Sequence, residues 1–167
     1  MEEHLKHKFL IVDFWTSCCI NCIHVLAELE ELETKFKDFP EVAFIGVHSA
    51  KFDKEEALHM LRQAVIRYDV KHACINDCKF NVWDTYMLNN WPTLLIVGPD
   101  GNIIQKMTEE RNSDTIEHLL YTGLTMHAEK LEKALARKKT NLYDKRLLLN
   151  HVPLPLRLEK DKAAELR

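Results

Sequence analysis

Two cysteines separated by two residues, Cys19 and Cys22, form the pattern in this sequence with the clearest chemical potential. They follow an apolar run that ends at Trp15, and they open a segment with helical spacing. The first turn of a helix has unpaired N–H groups and the positive end of the helix dipole, and both stabilise a thiolate. The pattern therefore predicts thiol–disulfide exchange, in which Cys19 attacks a disulfide and Cys22 resolves the mixed disulfide.

The other cysteines leave alternatives open. The chain has five in all, and the remaining three are Cys18, Cys74 and Cys78. An odd number clustered around one C-x-x-C is not a disulfide framework. Cys18, Cys19, Cys22 and His24 could instead supply zinc ligands, but the other cysteine pair is far along the chain, so we expect neither a metal nor a cofactor. Cys18 is interpreted as a small apolar neighbour, with a secondary thiol role as the alternative. Cys74 and Cys78 are interpreted as free thiols rather than a second redox pair.

One carboxylate lies inside the apolar run that precedes the cysteines. Asp13 is flanked by Val12 and Phe14. Burying a carboxylate is costly, and desolvation raises its pKa. A functional role for Asp13, rather than a purely structural one, is therefore predicted.

Composition limits the possible partners and locations. The 167 residues are 46% hydrophobic and 29% charged, which is typical of one soluble domain with a short tail. The net charge is −3, so there is no reason to expect a nucleic-acid partner. No apolar run approaches the roughly 20 residues that span a bilayer, so no membrane association is expected. The first residues mix charges and lack the layout of a secretory signal. We therefore expect the cytosol, where thiols are kept reduced.

The elements that must position these residues alternate along the chain. Apolar runs predict strands over residues 9–15, 42–47, 72–76, 92–97 and 102–107. Helical spacing predicts helices over residues 19–36 and 80–88, one capped by Asp53 with Glu56, and a last one capped by Asp114 with Glu117. This order predicts an α/β fold with a central mixed β-sheet flanked by helices.

The segment around the cysteines resembles the thioredoxin superfamily. Residues 12–15 (Val-Asp-Phe-Trp), three further residues and C-x-x-C match the active-site segment of that family with its spacing intact. The resemblance implies a thioredoxin-like fold, with Cys19 as the attacking and Cys22 as the resolving cysteine. It also implies that Asp13 takes or relays the proton of the resolving thiol and that Trp15 shields the active-site loop.

A second segment, Trp91-Pro92-Thr93, precedes a predicted strand. Here Pro92 resembles the cis-proline of the superfamily, which faces the C-x-x-C and helps to bind the substrate backbone. Trp91 and Thr93 are the neighbours that shape this part of the site. The sequence departs from the family pattern in three places: Cys18 stands where Trp is usual, Ile20-Asn21 replaces Gly-Pro, and Ala27 stands where a kink-forming Pro is common.

A narrower resemblance concerns one branch of the superfamily. Residues 18–24 (Cys-Cys-Ile-Asn-Cys-Ile-His) and the segment that begins at Trp91 are similar to the thioredoxin-like domain of NHL-repeat-containing proteins, which join this domain to a C-terminal β-propeller. The resemblance implies a thioredoxin-like domain over residues 1–140 and a linker or tail over residues 141–167. The tail would lead to a β-propeller that this chain lacks and that would be a partner in the full-length protein.

Two functions follow from these observations. The first is a thiol–disulfide oxidoreductase of the protein disulfide reductase type, which acts on protein disulfides through Cys19 and Cys22. The alternative is a redox-inactive interaction module of a multidomain cytosolic protein, since a fold alone does not determine a function.

Overall fold

Five strands form one sheet in the computed structural model, which describes residue 5 and residues 7–137. They are β1 (Phe9–Trp15), β2 (Val42–His48), β3 (Ala73–Asn76), β4 (Thr93–Val97) and β5 (Ile103–Met107). The sheet order is β3-β2-β1-β4-β5. β1 is parallel to β2 and antiparallel to β4, so the predicted mixed sheet is confirmed.

Within residues 7–137, one 3₁₀ turn and three α-helices lie between the strands, and a fourth α-helix follows the last strand. The helices are α1 (Ile20–Phe36), α2 (Leu58–Arg67), α3 (Asn81–Thr85) and α4 (Ser113–Arg137), and the 3₁₀ turn covers Asp53–Glu55. α1 joins the parallel strands β1 and β2, and it has the predicted apolar face. Its buried side chains recur at helical spacing: Cys22, Val25, Leu26, Leu29, Leu32 and Phe36.

Two predicted helix caps are wrong. Asp53 does not cap α2; it begins the 3₁₀ turn, and α2 starts after Ala57 without a side-chain cap. The local pattern is overridden by a long-range contact, because the turn holds the buried side chain of Glu55. Asp114 lies within the first turn of α4, where its charge favours the helix dipole. The carbonyl of Asn112 accepts the N–H of Ile116 (2.9 Å), as that of an N-cap residue does.

β2 is less buried than the sequence predicts. Its first four residues are only half-buried, whereas Gly46, Val47 and His48 are buried. The register explains the difference, because β3 pairs with β2 only from Ile45 onward. The first half of β2 is therefore an edge of the sheet.

Alternation along β1 distributes its side chains between two apolar clusters. Phe14 belongs to one cluster, with Val47, Trp83, Leu88, Leu95 and Val97. Trp15 belongs to the other, with Cys22, Leu26, Leu61 and Ala64. Trp91 packs against both clusters. Each fully buried large apolar side chain contributes about 1.5–3 kcal/mol, so these clusters fix the position of β1 and of the residues that it carries.

The chain divides into two compact units, residues 1–118 and residues 119–167, and the second unit begins within α4. The candidate site lies in the first unit. The predicted tail over residues 141–167 lies outside the described residues. None of the helices in the described part of the chain combines the length and apolar character needed to cross a membrane.

Candidate active site

Cys19 occupies the N-cap position of α1. Its backbone is extended (φ −97°, ψ 112°), and its sulfur accepts the N–H of Cys22 at 3.4 Å. The side chain is half-buried. An N-cap side chain normally satisfies one of the free N–H groups of the first turn, and here a sulfur does so. The predicted placement of Cys19 at a helix start, with its thiol beside unpaired donors, is confirmed.

Cys22 lies on the buried face of α1. It is 0% exposed and packs in the cluster that contains Trp15. Burial is the main reason that its pKa is raised, and contact with Cys19 and the charge of Asp13 add to the effect. In the reduced pair, the Cys22 thiol is thus shielded from solvent, whereas the Cys19 thiol is more accessible.

Asp13 is buried in the central strand with no donor for its charge. It is 1% exposed, and neither carboxylate oxygen has a hydrogen-bond partner among the described residues. Desolvation raises its pKa from 3.8 to about 8. The expected upward shift is therefore present, and it places the titration of Asp13 close to neutral pH.

Trp15 and His48 close the site from the end of the two central strands. Trp15 is 0% exposed, and its ring meets the ring of His48 edge-on with 5.0 Å between centroids. His48 is fully buried, and its Nε2 accepts the N–H of Ser17 at 3.3 Å. Burial lowers the pKa of His48, which keeps the ring neutral and able to accept this bond.

The Trp91–Pro92 peptide bond is cis, as predicted. Pro92 and Thr93 are buried, and the Thr93 hydroxyl donates to the carbonyl of Asn90 at 2.8 Å. Trp91 packs against Trp83 with 4.2 Å between ring centroids. Because Trp91 also borders the cluster that contains Cys19 and Cys22, this segment lies beside the cysteine pair.

Glu55 is a site residue that the sequence did not reveal. One oxygen, Oε1, accepts from the Thr16 hydroxyl (3.0 Å), the Ser17 hydroxyl and the Cys18 N–H (3.0 Å). Burial alone would raise the pKa of this carboxyl, but the three hydrogen bonds and neighbouring His48 outweigh it and lower the pKa. An ionised Glu55 therefore fixes the loop that leads into Cys19. The only sequence signal was its place in the acidic segment after β2, which is equally typical of a solvated turn.

The remaining cysteines divide by position. Cys18 is exposed, its sulfur lies 3.9 Å from the Thr16 hydroxyl, and burial and the nearby Glu55 raise its pKa. Cys74 packs in the same cluster as Cys19 and Cys22, which its distance along the sequence did not indicate. Cys78 is half-buried outside that cluster, and all five cysteines are free thiols.

No group of three or more His, Cys, Asp or Glu side chains that could hold a metal ion occurs in the described part of the chain. His24, considered from the sequence as a fourth zinc ligand, is exposed and pairs with Glu110 instead, with 2.7 Å between Nδ1 and Oε2. The arrangement around Cys19 and Cys22 is thus that of a dithiol with a buried carboxylate.

Comparison with known proteins identifies the family and the fold of the chain. A protein-family model described as thioredoxin-like matches residues 7–103, which is more than half of the chain. The chain belongs to the thioredoxin-like family. A solved structure of a thiol-disulfide oxidoreductase from Bacteroides fragilis NCTC 9343 has the same fold, with a TM-score of 0.59 and 19% identity over 71% of this chain and 85% of that one. The predicted thioredoxin-like fold is confirmed.

Two curated relatives are more similar in sequence. The chain is 41% identical over 160 residues to the protein SUPPRESSOR OF QUENCHING 1, chloroplastic, of Arabidopsis thaliana, a match that covers 96% of this chain and 14% of that protein. It is 34% identical over 170 residues to NHL repeat-containing protein 2 of Gallus gallus, which covers 99% of this chain and 23% of that protein. The resemblance to NHL-repeat proteins is confirmed, and the chain spans less than a quarter of the length of either relative.

Proposed function

We propose that this chain is a thiol–disulfide oxidoreductase that reduces protein disulfides through Cys19 and Cys22. The observation that carries the proposal is the graded exposure of the dithiol: Cys19 is half-buried at the N-cap of α1, whereas Cys22 is fully buried behind it next to a buried Asp13. A nucleophile must be reachable, and a resolving thiol must be protected until the mixed disulfide has formed. The two cysteines meet these opposite requirements.

In the first step, the Cys19 thiolate attacks one sulfur of a substrate disulfide. A new disulfide forms between Cys19 and the substrate, and the other substrate sulfur leaves as a thiolate. The N–H of Cys22 already contacts the Cys19 sulfur at 3.4 Å, so the first turn of α1 stabilises negative charge on that sulfur. Glu55 holds the preceding loop and fixes the direction from which Cys19 meets the substrate.

In the second step, Cys22 attacks the Cys19 sulfur and the second substrate thiolate leaves. Two electrons have then passed from the dithiol to the substrate, and Cys19–Cys22 is a disulfide. Cys22 must lose a proton as it attacks, and its pKa is raised. Asp13 accepts this proton in its carboxylate form, which is the minor form at neutral pH and the major form above its pKa of about 8. A small reducing dithiol or a reductase must then restore the pair.

Reduction rather than oxidation is the proposed direction, because we propose a cytosolic location, where thiols are kept reduced. In a longer protein that contains this chain, the names of the relatives suggest NHL repeats as an adjoining part. A C-terminal β-propeller, which the resemblance to NHL-repeat proteins implies, would then limit which protein disulfides reach Cys19.

The experiment is an insulin-type disulfide reduction assay with dithiothreitol as the electron source. We expect wild-type protein to accelerate the reduction and Cys19→Ser to abolish the acceleration. Cys78→Ser is the matched control, because it removes a thiol outside the cluster that contains Cys19. In cell extract, Cys22→Ser should trap substrates as mixed disulfides. Equal inactivity of wild type and Cys19→Ser, together with no trapping, would favour the interaction-module alternative.

A further inference from the structure

His72 and Glu33 form a largely buried pair that the proposed mechanism does not yet use. Nδ1 of His72 lies 2.6 Å from Oε1 of Glu33, and the side chains are 4% and 18% exposed. An ionised carboxylate can only accept hydrogen bonds, so Nδ1 of His72 donates in this contact and Nε2 is the ring nitrogen that faces away from Glu33. Glu33 therefore connects a buried imidazole with the protein surface.

The other ring nitrogen of His72 points to a group of polar atoms above Gly46. Nε2 is buried, and no described residue hydrogen bonds to it. A Cβ built on Gly46 would lie 3.0 Å from this nitrogen, 2.7 Å from the Cys74 sulfur and 3.1 Å from Nε1 of Trp15. Only a residue without a side chain leaves room for these three atoms to converge. An unsatisfied buried polar group costs about 1–3 kcal/mol, so such a convergence in an apolar cluster calls for a functional reason.

Asp13 lies beside Gly46, where these polar atoms converge. In the sheet register, Gly46 lies directly opposite Asp13 on one side and Cys74 on the other. Laterally paired residues in a sheet carry their side chains on the same face, so Asp13 and Cys74 flank Gly46 on one face. Burial is the main cause of the raised pKa of both Cys22 and Cys74, and the charge of Asp13 adds to it in each case. The carboxylate is therefore within electrostatic reach of both thiols.

A proton that Asp13 receives from Cys22 has no direct path to water, because Asp13 is 1% exposed. We propose, building on the oxidoreductase function proposed above, that His72 and Glu33 carry this proton between Asp13 and solvent. Glu33 from α1 pairs with Nδ1 of His72, and Cys74 of β3 converges with Nε2 above Gly46 of β2. Asp13 of β1 lies beside Gly46 in the sheet register, and the charge of Glu33 also acts on Lys71, the chain neighbour of His72.

The proton transfers balance as follows. As the Cys19–Cys22 disulfide forms, Cys22 gives its proton to the Asp13 carboxylate. Asp13 passes it on to Nε2 of His72, the proton on Nδ1 moves to Glu33, and Glu33 releases it to water. The first transfer needs a direct contact, or one bridging water, between the Asp13 carboxyl and Nε2 of His72. One proton leaves the interior for each disulfide formed, and the path reverses on reduction.

Cys74 does not compete for this proton. Burial above all raises its pKa to about 11, and the charges of Asp13 and Glu33 add to the effect. The indole N–H of Trp15 acts in the opposite direction, although its geometry falls short of a hydrogen bond. Cys74 therefore remains a neutral thiol while Asp13 and His72 exchange protons.

The test separates the two chemical steps with a symmetric aromatic disulfide, which releases one coloured thiolate when Cys19 attacks and a second when Cys22 resolves. Every protein in the test carries Cys18→Ser and Cys78→Ser, because these accessible thiols would release the same coloured thiolate. In stopped-flow measurements, we expect His72→Gln to leave the first release unchanged and to slow the second about tenfold or more. The solvent deuterium isotope effect on the second release should rise, because proton transfer becomes rate-limiting. Gln keeps a hydrogen bond to Glu33 but cannot carry a proton.

The chain provides a matched control for this variant. His24 also pairs through Nδ1 with a glutamate, Glu110, at 2.7 Å, but its side chain is 56% exposed. His24→Gln should leave both releases at the wild-type rates. Glu33→Gln should slow the second release as His72→Gln does, and it carries the test if near-UV circular dichroism shows that His72→Gln does not fold.

Two results would overturn the proposal: a second release at the wild-type rate in a folded His72→Gln or Glu33→Gln, or equal slowing in His72→Gln and His24→Gln. Failure of the proposed function itself would look different. In that case wild-type protein would show no Cys19-dependent release at all, and both proposals would fall together.

Discussion

Two buried carboxylates, Asp13 and Glu55, have pKa values that move in opposite directions. Both are less than 7% exposed, so desolvation acts on each of them. Glu55 accepts three hydrogen bonds from residues 16–18, and its pKa is lowered. Asp13 has no donor, and its pKa is raised to about 8. Hydrogen bonding rather than burial therefore decides which carboxylate holds a loop and which one exchanges a proton.

The first prediction concerns the stability effect of Asp13. Folded protein keeps a proton on Asp13 up to about pH 8, whereas the unfolded chain releases it near pH 3.8. The free energy of unfolding should therefore fall as the pH rises through this window and level off above it. Asp13→Asn removes the titration. The difference in free energy of unfolding between Asp13→Asn and wild type should therefore shift in favour of the variant by about 2–5 kcal/mol as the pH rises from 4 to 8 in reducing buffer.

Urea unfolding of both proteins across this pH range measures the effect. Asp84→Asn is the matched control, because Asp84 is an exposed carboxylate on α3 and its replacement should leave the pH profile unchanged. Parallel stability profiles for wild type and Asp13→Asn would show that Asp13 titrates like an ordinary carboxylate.

The second prediction concerns Glu55. Because the folded-state pKa is lowered, its contribution is present above the ordinary pKa and is lost as the pH falls through the folded-state value. Glu55→Gln should cost about 1.5–3 kcal/mol at pH 7, since hydrogen bonds to a charged group are lost. The difference from wild type should narrow in acid. Amide exchange at Cys18 should become faster in the variant, because its N–H donates to Glu55.

Glu56→Gln controls for the change of charge, because Glu56 is the exposed neighbour of Glu55. It should behave as wild type in thermal unfolding and in exchange at Cys18. If both variants lose the same stability, the effect comes from net charge rather than from the contact with residues 16–18.

At the scale of elements, α1 connects the site with the start of α4. Glu28 on α1 accepts the backbone N–H groups of Arg111 (2.8 Å) and Asn112 (3.1 Å), just before α4 begins. Asn112 is the N-cap residue of α4, and its N–H is one that a capping side chain satisfies, whereas Arg111 lies just before the helix. A side chain from one helix thus holds the start of another. The same helix carries both cysteines and Glu33, which makes its placement decisive for the site.

Glu28→Ala should therefore lower the free energy of unfolding by about 1–2 kcal/mol, the usual cost of losing a capping side chain. Glu30→Ala is the control, because Glu30 lies on the exposed face of the same helix. Chemical denaturation compares the two variants. Equal stability would mean that water replaces Glu28 at the N–H groups of Arg111 and Asn112 without cost.

A prediction at the level of strand pairing concerns Gly46. Gly46→Ala places a methyl group 2.7 Å from the Cys74 sulfur, and overpacking of this kind costs about 1–3 kcal/mol. Combining it with Cys74→Ala removes the nearest atom and should restore part of the loss. A double-mutant cycle in urea unfolding measures the coupling. Additive effects would show that β2 and β3 adjust independently at this point.

The sequence predicted the strand that carries Asp13, the position of Cys19 at a helix start and the cis bond before Pro92. These features depend on local spacing or on a short segment with specific neighbours. It did not predict the contact of Glu55 with residues 16–18 or the approach of His72 to Gly46. Those contacts join residues far apart in the chain, so local spacing does not reveal them. The helix cap predicted at Asp53 is wrong for the same reason, because a long-range contact of Glu55 determines the local structure there.

At the scale of the whole molecule, the sheet order places the site on the central strand. β1 is hydrogen bonded on both sides, whereas β3 and β5 are edges paired on one side only. β4 is buried along its full length, but four of the five residues of β5 are exposed. Local stability in a protein follows burial and pairing, so the strand that holds Asp13 and Trp15 should belong to the most stable part of the first unit.

Hydrogen exchange monitored by NMR tests this ranking of the strands by local stability. We expect the amides of β1 and β4 to exchange at least about tenfold more slowly than those of β3 and β5, because edge strands open without disrupting the core. The amides next to β3, including that of His72, should exchange as fast as those of β3 and β5. The Glu33–His72 pair would then come into frequent contact with solvent while Asp13 stays buried. Exchange in β3 as slow as in β1 would mean that the sheet opens as one unit, and protons could then reach Asp13 only through the cysteine side of the site.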